Sequence, residues 1–580
     1  MNVARSGFAA AALAVFTLLL FKHISYPLMW QDEAETALFA ARILDHGYPK
    51  VHGTKNVLYE FGTNREIGQK ETIDAYIGTT WGHFYFAVPG LLWSQRAPDD
   101  YAQTARLRIP FALAGLLGLL CFAAIGTPAV KASPGRARLF VGLFFLLCCF
   151  SISLILHLRE VRYYALQILV GGAILAVYLR YQVYRSLDFR SYVAGVGLSM
   201  VLLFNIFYTA YFVFGFLLGV HCLYVGWRTG ADWPSRVRGA ACGLAPLALS
   251  AIALTPFFVF YETFGIAGRF SEELHFSAHV YLRNIATVVK HVRMHELFLV
   301  ATLARIAASV FTQAGEGAWL QLDSKRRVSA FLVGFAIGYI LLASVNPLCY
   351  ERYFLVLSPV FALSFLLDAF TLVDELPQHF ASESRVRRLV IGGLLLSVVA
   401  TSVTRIEDFK ERVYEIRHRV EGPIDVLVEH LRKRYPRPEE LIIATNYEAH
   451  PLMFYLGSRV IVGFSLNNIE AERELKPDVI VPRRNWRKTL PEIASLLRGG
   501  RFQGVQLDIK DMPYNNIPAL SKTIWLMTVH QFRTARASNP ERRLTVYHRV
   551  AAQGRIRELP SGQAGRNGKA RRTQSSSPGR

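Results

Sequence analysis

The stretch Trp30-Gln31-Asp32-Glu33-Ala34-Glu35-Thr36-Ala37 directly follows the first long apolar run of the chain. Three carboxylates are therefore grouped where a membrane helix would emerge into water. Ionisable groups at such a boundary are costly unless they are paired or functional. This stretch predicts the position of a site, and the rest of the chain is interpreted around it.

The residues up to Gly47 have the pattern of an amphipathic helix, because apolar side chains recur at three- or four-residue steps. The predicted apolar face consists of Ala34, Leu38, Ala41 and Leu44. Two interpretations of Asp32 stay open. In the first, Asp32 is the N-cap of this helix and Glu35 completes a capping box. In the second, Asp32 is a catalytic carboxylate held at the rigid start of the helix.

Composition places the chain in a membrane. Of its 580 residues, 52% are hydrophobic and only 19% are charged, which is less charge than a soluble domain normally carries. The net charge of +22 could suggest a nucleic-acid partner, but the basic residues recur in short clusters between apolar runs, as topology signals do. We predict a mainly α-helical, polytopic membrane protein that binds no nucleic acid.

About eleven apolar runs are long enough to cross a bilayer core, which takes about 20 helical residues. The predicted spans are 7–29, 106–126, 138–157, 163–180, 191–207, 209–227, 239–261, 296–313, 329–345, 353–371 and 388–404. Basic clusters occupy every second loop, which predicts that those loops face the cytoplasm and that Asp32 faces outward. Run 76–93 would break this alternation, so we predict a helix lying in the membrane interface there.

The chain divides at about residue 405. Residues 1–404 form the predicted membrane module, in which the outer loop 30–105 carries interfacial helices. Residues 405–550 contain helical stretches and short strand-like runs, which predict a soluble α/β domain on the outer, periplasmic side. Residues 551–580 form a basic tail that we predict to be disordered.

Several outer loops could share one side of the membrane with Asp32. The charged and aromatic residues they carry are Lys70, Trp81, His83, Arg159, Glu160, Arg162, Tyr163, Arg352 and Tyr353. Transfer of a sugar from a polyprenyl phosphate to a hydroxyl needs a carboxylate that takes the acceptor's proton. It also needs cations that stabilise the departing phosphate. These loops contain both kinds of group.

The predicted catalytic residues are Asp32 and Glu33. The predicted donor-phosphate ligands are Arg352, Arg159, Arg162 and Lys70, and the predicted substrate pocket is lined by Glu160, Tyr163, Trp81, His83 and Tyr353. Structural alternatives stay open for them. Glu33 is also a first-turn acid favoured by the helix dipole, Arg352 could pair with Glu351, and Arg159 and Arg162 could anchor lipid headgroups or pair with Glu160. Interfacial anchoring would equally explain the aromatic residues and His83.

No cofactor is assigned from the sequence. Five of the six cysteines lie in apolar runs, so neither a disulfide framework nor a zinc site is predicted. His291 and His295 are four residues apart, a helical spacing that can bind a divalent metal ion. No remote third ligand is identifiable, so this metal site is a weak alternative.

The arrangement resembles the GT-C superfamily of glycosyltransferases, in particular the family-39 enzymes and the lipid A aminoarabinose transferases. Three segments carry the resemblance. They are the Asp32-Glu33 pair with its Ala-rich helix ending in Gly47-Tyr48-Pro49, the loop Arg159–Leu166, and Glu351-Arg352-Tyr353-Phe354-Leu355 followed by Pro359. The relatives often carry Lys-Pro-Pro-Leu-Tyr where this chain has Lys70-Glu71-Thr72-Ile73-Asp74.

The resemblance implies a GT-C fold over about residues 1–405 and a polyprenyl-phosphate-linked sugar as donor. It also implies that Asp32 is the catalytic base and that Arg352 lies near the donor phosphate. The predicted function is an inner-membrane glycosyltransferase that modifies a lipid, glycan or protein acceptor on the periplasmic face. A transporter or flippase of lipid-linked sugars is the alternative. It predicts broken or charged spans and inverted repeats.

Overall fold

The computed structural model describes residues 2–58, 69–130, 134–265, 277–295, 300, 303–304, 306–307, 323–346, 350–375, 382–403, 406–463, 474–484, 489–512, 532–536 and 540–550. Helices dominate up to residue 434, and a five-stranded sheet lies between residues 442 and 549. The prediction of a mainly α membrane protein with a C-terminal α/β region is confirmed.

The helices of the membrane module are α1 (Asn2–Phe21), α2 (Gln31–His46), α3 (Gly82–Ser94), α4 (Asp100–Gly126), α5 (Pro134–Phe150), α6 (Ile152–Leu158), α7 (Tyr164–Gln182), α8 (Phe189–Ile206), α9 (Tyr208–Thr229), α10 (Trp233–Phe260), α11 (Ala278–His295), α12 (Ser324–Ala343), α13 (Leu357–Glu375) and α14 (Glu383–Val403). Two short strands, β1 (Gln69–Lys70) and β2 (Ala75–Tyr76), pair between α2 and α3.

Within the described residues, seven helices are long and apolar enough to cross a membrane, namely α4, α7, α8, α9, α10, α12 and α13. Helices α5 and α6 meet at an angle of 86° and would form an eighth, broken span, so the predicted continuous span 138–157 is wrong. The first apolar helix ends earlier than the predicted span 7–29, since α1 stops at Phe21. Most of the predicted span 296–313 lies outside the described residues.

Helix α3 occupies the run predicted to lie in the membrane interface. It has 13 residues and is therefore about 20 Å long, too short for the hydrocarbon core of a bilayer. Phe84 and Leu91 are buried on one face, whereas Leu92 and Trp93 are exposed on the other. An aromatic and apolar face of this kind suits an interfacial helix.

The bundle has two chemically different ends. At one end Arg136 and Lys325 contact Asp374 at 2.5 Å and 3.4 Å, and Arg326 pairs with Glu375. The basic clusters at the starts of α5 and α12 thus meet acidic residues at the end of α13. The other end holds the start of α2, where the predicted site residues lie.

Close helix contact fixes the start of α7 relative to α4. A Cβ atom on Gly118 of α4 would lie 2.6 Å from the backbone nitrogen of Leu169, and one on Gly172 would lie 2.9 Å from the carbonyl of Gly118. Only glycine permits such approach, as in other membrane helix pairs. The loop before α7 is consequently held against the N-terminal part of α4.

The C-terminal region contains helices α15 (Ile406–Arg417), α16 (Pro423–Arg434), α17 (Ala449–Leu456) and α18 (Leu490–Arg498), and strands β3 (Ile442–Thr445), β4 (Arg459–Val462), β5 (Val479–Val481), β6 (Phe502–Lys510) and β7 (Arg543–Arg549). The strand order is β4-β3-β5-β7-β6. Strands β4, β3 and β5 are parallel, whereas β7 and β6 are antiparallel. Strand β6 was not predicted from the sequence. The predicted tail 551–580 lies outside the described residues.

Candidate active site

Helix α2 begins one residue before Asp32. Its N-cap is Trp30, which has extended backbone angles and no capping side chain. The interpretation of Asp32 as the N-cap is therefore wrong, since Asp32 lies in the first turn, where the helix dipole favours a carboxylate. The predicted end is confirmed, because Gly47 adopts the left-handed conformation with a φ of 83°, which glycine tolerates best.

The buried face of α2 differs from the predicted one. Ala37, Ala40 and Ile43 are buried, whereas Leu44 is 40% exposed. The small alanine side chains let other elements approach α2 closely. The helix start carrying Asp32 is thereby enclosed by other parts of the chain.

Asp32 lies between two guanidinium groups from distant parts of the chain. Its Oδ2 atom is 3.7 Å from Nη2 of Arg162 and 3.7 Å from Nη2 of Arg352. Arg162 precedes α7 and Arg352 precedes α13, so two loops of the same bundle end converge on one carboxylate. Both distances exceed the 2.7–2.9 Å typical of a charge-assisted hydrogen bond.

Arg162 also holds the first turn of α2. Its Nη1 atom donates to the carbonyl of Asp32 at 3.1 Å and to Oγ1 of Thr36 at 3.2 Å, and it lies 3.4 Å from Glu35. Burial disfavours the charged form, but the carboxylates of Glu35 and Asp32 outweigh burial, and the pKa of Arg162 is raised well above its ordinary value. Arg162 therefore stays cationic.

Aromatic rings surround Arg352. Its guanidinium lies 4.1 Å from the ring centre of Tyr350, 5.3 Å from that of Trp30 and 5.8 Å from that of Tyr353. Cation–π contacts of this kind stabilise a desolvated arginine. Despite burial, the neighbouring Tyr164, Tyr353 and Asp32 raise the pKa of Arg352. The structure thus places Arg352, Arg162 and Tyr353, three of the predicted site residues, around Asp32.

Several buried polar atoms around this cluster have no hydrogen-bond partner among the described residues. Three of them are Nε1 of Trp30, Nε of Arg162 and the hydroxyl of Tyr164. A buried polar group left unpaired costs about 1–3 kcal/mol. All three can donate a hydrogen bond, so the surroundings of Asp32 can accept an anionic or oxygen-rich ligand.

His83 and Tyr163 lie on the same side of the cluster. The His83 ring is fully buried, 5.6 Å from the Tyr163 ring, and Tyr163 stacks on Phe207 at 4.5 Å. Burial, together with the charge of Arg162, lowers the pKa of His83 well below its ordinary value. His83 is therefore a neutral imidazole.

Glu33 points into the protein and has two firm partners. Its oxygens accept from Nε and Nη2 of Arg108 at 2.8 Å and 2.6 Å, and Oε1 also accepts from the backbone of Val161 at 2.9 Å. Arg108 binds the carbonyls of Ile24 and Pro27 as well. This buried pair joins α4, the turn before α2 and the loop before α7.

Changing Glu33 to Gln should lower the free energy of unfolding by about 3–5 kcal/mol, because Arg108 would be left as an uncompensated buried charge. Unfolding in mixed micelles measures this. The matched control is Glu429→Gln, which removes one partner of the exposed pair with Lys433 and should change little. Unchanged stability of the Glu33 variant would contradict the structural role.

Other predicted site residues have contacts elsewhere. Arg159 is buried and pairs with Glu415 of α15 at 3.3 Å. The Oε1 atom of Glu160 lies 2.9 Å from Nδ1 of His157. Lys70 donates to the carbonyl of Phe260 at 3.4 Å, and Trp81 packs edge-on against that residue's ring at 5.1 Å. Arg159, Glu160, Lys70 and Trp81 are thus each engaged by groups other than Asp32.

Glu351 is not the partner of Arg352. Its oxygens accept from both terminal nitrogens of Arg412 at 2.8 Å and 2.7 Å, and both side chains are buried. The alternative of a structural Glu351–Arg352 pair is therefore wrong. Arg412 lies on α15, so this bidentate pair anchors the loop of Arg352 to the C-terminal region.

The C-terminal region, predicted from the sequence to cover the site, also reaches the turn before α2 through contacts that the sequence did not predict individually. The backbone of Leu28 donates to Asp425 at 3.0 Å, and that of Met29 donates to the Tyr455 hydroxyl at 3.0 Å. His450 and Gln31 form a reciprocal pair, with Gln31 Nε2 2.9 Å from His450 Nδ1 and the His450 backbone donating to Gln31 Oε1 at 3.2 Å. These contacts close one side of the site.

A buried ion-pair group holds the loop before α17 near Asp32. Glu448 has a φ of 56°, pairs with Arg483 and is fully buried, while Arg483 also contacts Asp511 at 2.7 Å. Burial and the carboxylates of Glu448 and Asp32 raise the pKa of the adjacent Tyr447 well above its ordinary value. Tyr447 is therefore a neutral phenol beside the candidate base.

The burial of His450 should make the stability of the protein depend on pH. Burial lowers the pKa of His450 to about 3, compared with about 6.5 in an unfolded chain. The stability contributed by this neutral imidazole is fully present above pH 6.5. It should fall by up to about 1.4 kcal/mol for each pH unit below 6.5, because protonation then favours the unfolded chain.

Unfolding measured between pH 5 and pH 8 tests this. The His450→Gln variant keeps an amide acceptor but does not titrate. Its free energy of unfolding should therefore fall less than that of the wild type when the pH is lowered. His418→Gln, at an exposed position, is the matched control and should keep the wild-type slope. Equal slopes for all three proteins would show that His450 contributes nothing.

No metal site is formed by the described residues, in which no group of three His, Cys, Asp or Glu side chains could hold an ion. The backbone of His291 and His295 belongs to α11, but their side chains lie outside the described part of the structure. The weak metal alternative therefore stays untested.

Comparison with solved structures gives extensive matches. ArnT from Cupriavidus metallidurans bound to undecaprenyl phosphate is 12% identical, with a TM-score of 0.51 over 95% of this chain and 98% of that chain. The same protein in the apo state is 14% identical, with a TM-score of 0.51 over 93% and 97%. No family model and no curated protein matches the sequence. The likeness covers the membrane helices and the C-terminal region together.

Proposed function

We propose that this chain, which has the GT-C fold of the ArnT structures, is a membrane glycosyltransferase that uses a polyprenyl-phosphate-linked sugar. The observation that carries the proposal is the position of Asp32, 3.7 Å from both Arg162 and Arg352. A carboxylate and two cations lie together at one end of a membrane bundle. That is the depth at which the phosphate of a membrane-anchored donor would lie.

In the proposed reaction, an acceptor hydroxyl attacks C1 of the donor sugar. The new C1–O bond forms as the bond from C1 to the phosphate oxygen breaks. Asp32 takes the hydroxyl proton as general base. The polyprenyl phosphate leaves with its electron pair and negative charge, which Arg352 and Arg162 stabilise.

The neighbours of Asp32 have positioning roles in this proposal. Glu33 orients the first turn of α2 through Arg108 and Val161, and is buried too completely to assist the base directly. Arg159 fixes its loop to α15 through Glu415. Tyr163, Tyr353 and His83 are the proposed pocket residues, whereas Lys70 and Trp81 stabilise the contact between loop 69–81 and the end of α10.

The charge distribution of the bundle supports the proposed orientation. The basic clusters lie at the end opposite Asp32, and such clusters favour the cytoplasmic side. The site and the C-terminal α/β region then face the outside of the plasma membrane, the periplasm in a cell with two membranes. The acceptor is a lipid, glycan or protein of the cell envelope.

The test incubates the purified full-length protein with a panel of polyprenyl-phosphate sugars and envelope acceptors. We expect at least one donor to yield glycosylated acceptor and free polyprenyl phosphate. A parallel assay in sealed vesicles follows movement of the same donors across the bilayer. Donor movement without any transfer would overturn the proposal in favour of a flippase.

A further inference from the structure

A second charged pocket lies at the opposite end of the bundle from Asp32. It has a volume of about 440 Å³ between the end of α7 and the connection from α9 to α10. Helix α7 starts beside the candidate active site and has 19 residues, so its two ends are about 28 Å apart. This pocket is therefore separate from the Asp32 site and lies at the other bilayer surface.

Two arginines give the pocket its charge. Arg185 and Arg238 both line it, and neither forms an ion pair with a carboxylate of the described residues. Arg185 has a φ of 53°, a left-handed conformation that is uncommon for a side chain of this size. Two guanidinium groups without carboxylate partners are thus available to an anion.

Asp232 is the one acidic side chain among the described residues that line the pocket, and its carboxylate already has hydrogen-bond partners. Asp232 caps α10, accepting from the backbone of Ser235 at 3.0 Å, while the Ser235 hydroxyl contacts the backbone nitrogen of Asp232 at 3.2 Å. Hydrogen bonds from the hydroxyl and the backbone nitrogen of Ser235 to the carboxylate lower the pKa of Asp232. The lining keeps a net positive charge, to which the N-terminus of the 28-residue helix α10 adds.

The end of the bundle that holds the pocket carries the features of a membrane surface. Trp227 and Trp233 are 55% and 65% exposed, and their rings meet edge to face at 6.1 Å. Arg236 stacks on Trp227 at 4.8 Å. Exposed tryptophans beside arginines are typical of the depth of lipid headgroups, where a phosphate group is the commonest anion.

We infer that the pocket between α7, α9 and α10 binds the phosphate of an anionic phospholipid headgroup, held by Arg185 and Arg238. Its acyl chains would extend along the exposed apolar side of the bundle. Basic pockets between membrane helices recognise lipid headgroups through the same chemistry. Free phosphate could satisfy the arginines, but its binding would gain nothing from the exposed apolar side of the bundle.

The experiment titrates the full-length protein in neutral detergent with short-chain phosphatidylglycerol, short-chain phosphatidylcholine or inorganic phosphate, and follows binding. We expect phosphatidylglycerol to bind and the other two to bind at least tenfold more weakly. Replacing either arginine by glutamine should weaken the binding of phosphatidylglycerol about fivefold, since each arginine contributes about one charge contact with the lipid headgroup. The double variant, Arg185→Gln with Arg238→Gln, should bind phosphatidylglycerol about 25-fold more weakly than the wild type.

Arg190→Gln is the matched control, because Arg190 is an exposed arginine at the start of α8 that does not line the pocket. It should bind phosphatidylglycerol as the wild type does, and all four variants should keep wild-type sugar transfer. Equal binding of phosphatidylcholine, equal binding of inorganic phosphate, or wild-type affinity in the double variant would each overturn the inference. An equal loss in Arg190→Gln would also overturn it.

Discussion

Replacement of Asp32 by asparagine is expected to lower the rate of sugar transfer by about 10²–10⁴-fold, the share that a general base contributes. The amide keeps the size of the side chain but cannot accept the acceptor's proton. Donor binding should not weaken, because removing a negative charge beside Arg162 and Arg352 lowers repulsion of the donor phosphate. The measurements are kcat with a saturating donor and, separately, donor affinity.

Asp45→Asn is the matched control for this variant, since Asp45 is exposed near the end of the same helix. It removes the same charge and should leave kcat unchanged. Wild-type turnover by the Asp32→Asn protein would exclude Asp32 as the base. A loss of donor binding with normal kcat would instead make Asp32 a binding residue.

Replacement of Arg352 by glutamine is expected to lower kcat by about 10²–10³-fold, the cost of removing one preorganised group that stabilises developing charge. Arg352 gives a cleaner test than Arg162, because Arg162 also bonds to the backbone and Thr36 in the first turn of α2. The measurement is kcat for transfer together with the affinity for free polyprenyl phosphate, and both should fall.

Arg352→Lys should retain more activity than the glutamine variant, since lysine keeps the charge but not the planar fork of donors. Arg387→Gln is the control. Arg387 is an exposed arginine whose partner is Glu383 on the same helix, and its loss should not affect transfer. If the Arg352→Gln protein binds and releases polyprenyl phosphate normally, the phosphate is held elsewhere.

The sequence predicts those structural features that depend on a local residue pattern or on the charge of the loops. Gly47 could be predicted as the end of α2 because helices commonly stop at a left-handed glycine. The meeting of Arg162 and Arg352 with Asp32 could be predicted because charged residues at one end of a membrane bundle are brought together. Strand β6 also has a local sequence signal, the alternation of Val505, Leu507 and Ile509 with polar residues.

The partners of the buried charges could not be predicted in the same way. Glu33 and Arg108 are 75 residues apart, Glu351 and Arg412 are 61 apart, and Gln31 and His450 are 419 apart. No spacing rule links residues at such separations. Glu33 therefore looked catalytic beside Asp32, although the packing of α4 gives it a partner. Glu351 looked like the partner of Arg352 because it is adjacent in sequence.

The hydrogen bonds from Leu28 to Asp425 and from Met29 to Tyr455 have a consequence for how the protein matures. These residues are separated by 397 and 426 positions, so the turn before Asp32 enters the bilayer long before its partners have left the ribosome. A nascent chain can insert its helices and still lack the groups that fix the proposed base. On this proposal, competence for chemistry is acquired only after the C-terminal region has been synthesised and has folded back onto the turn before α2.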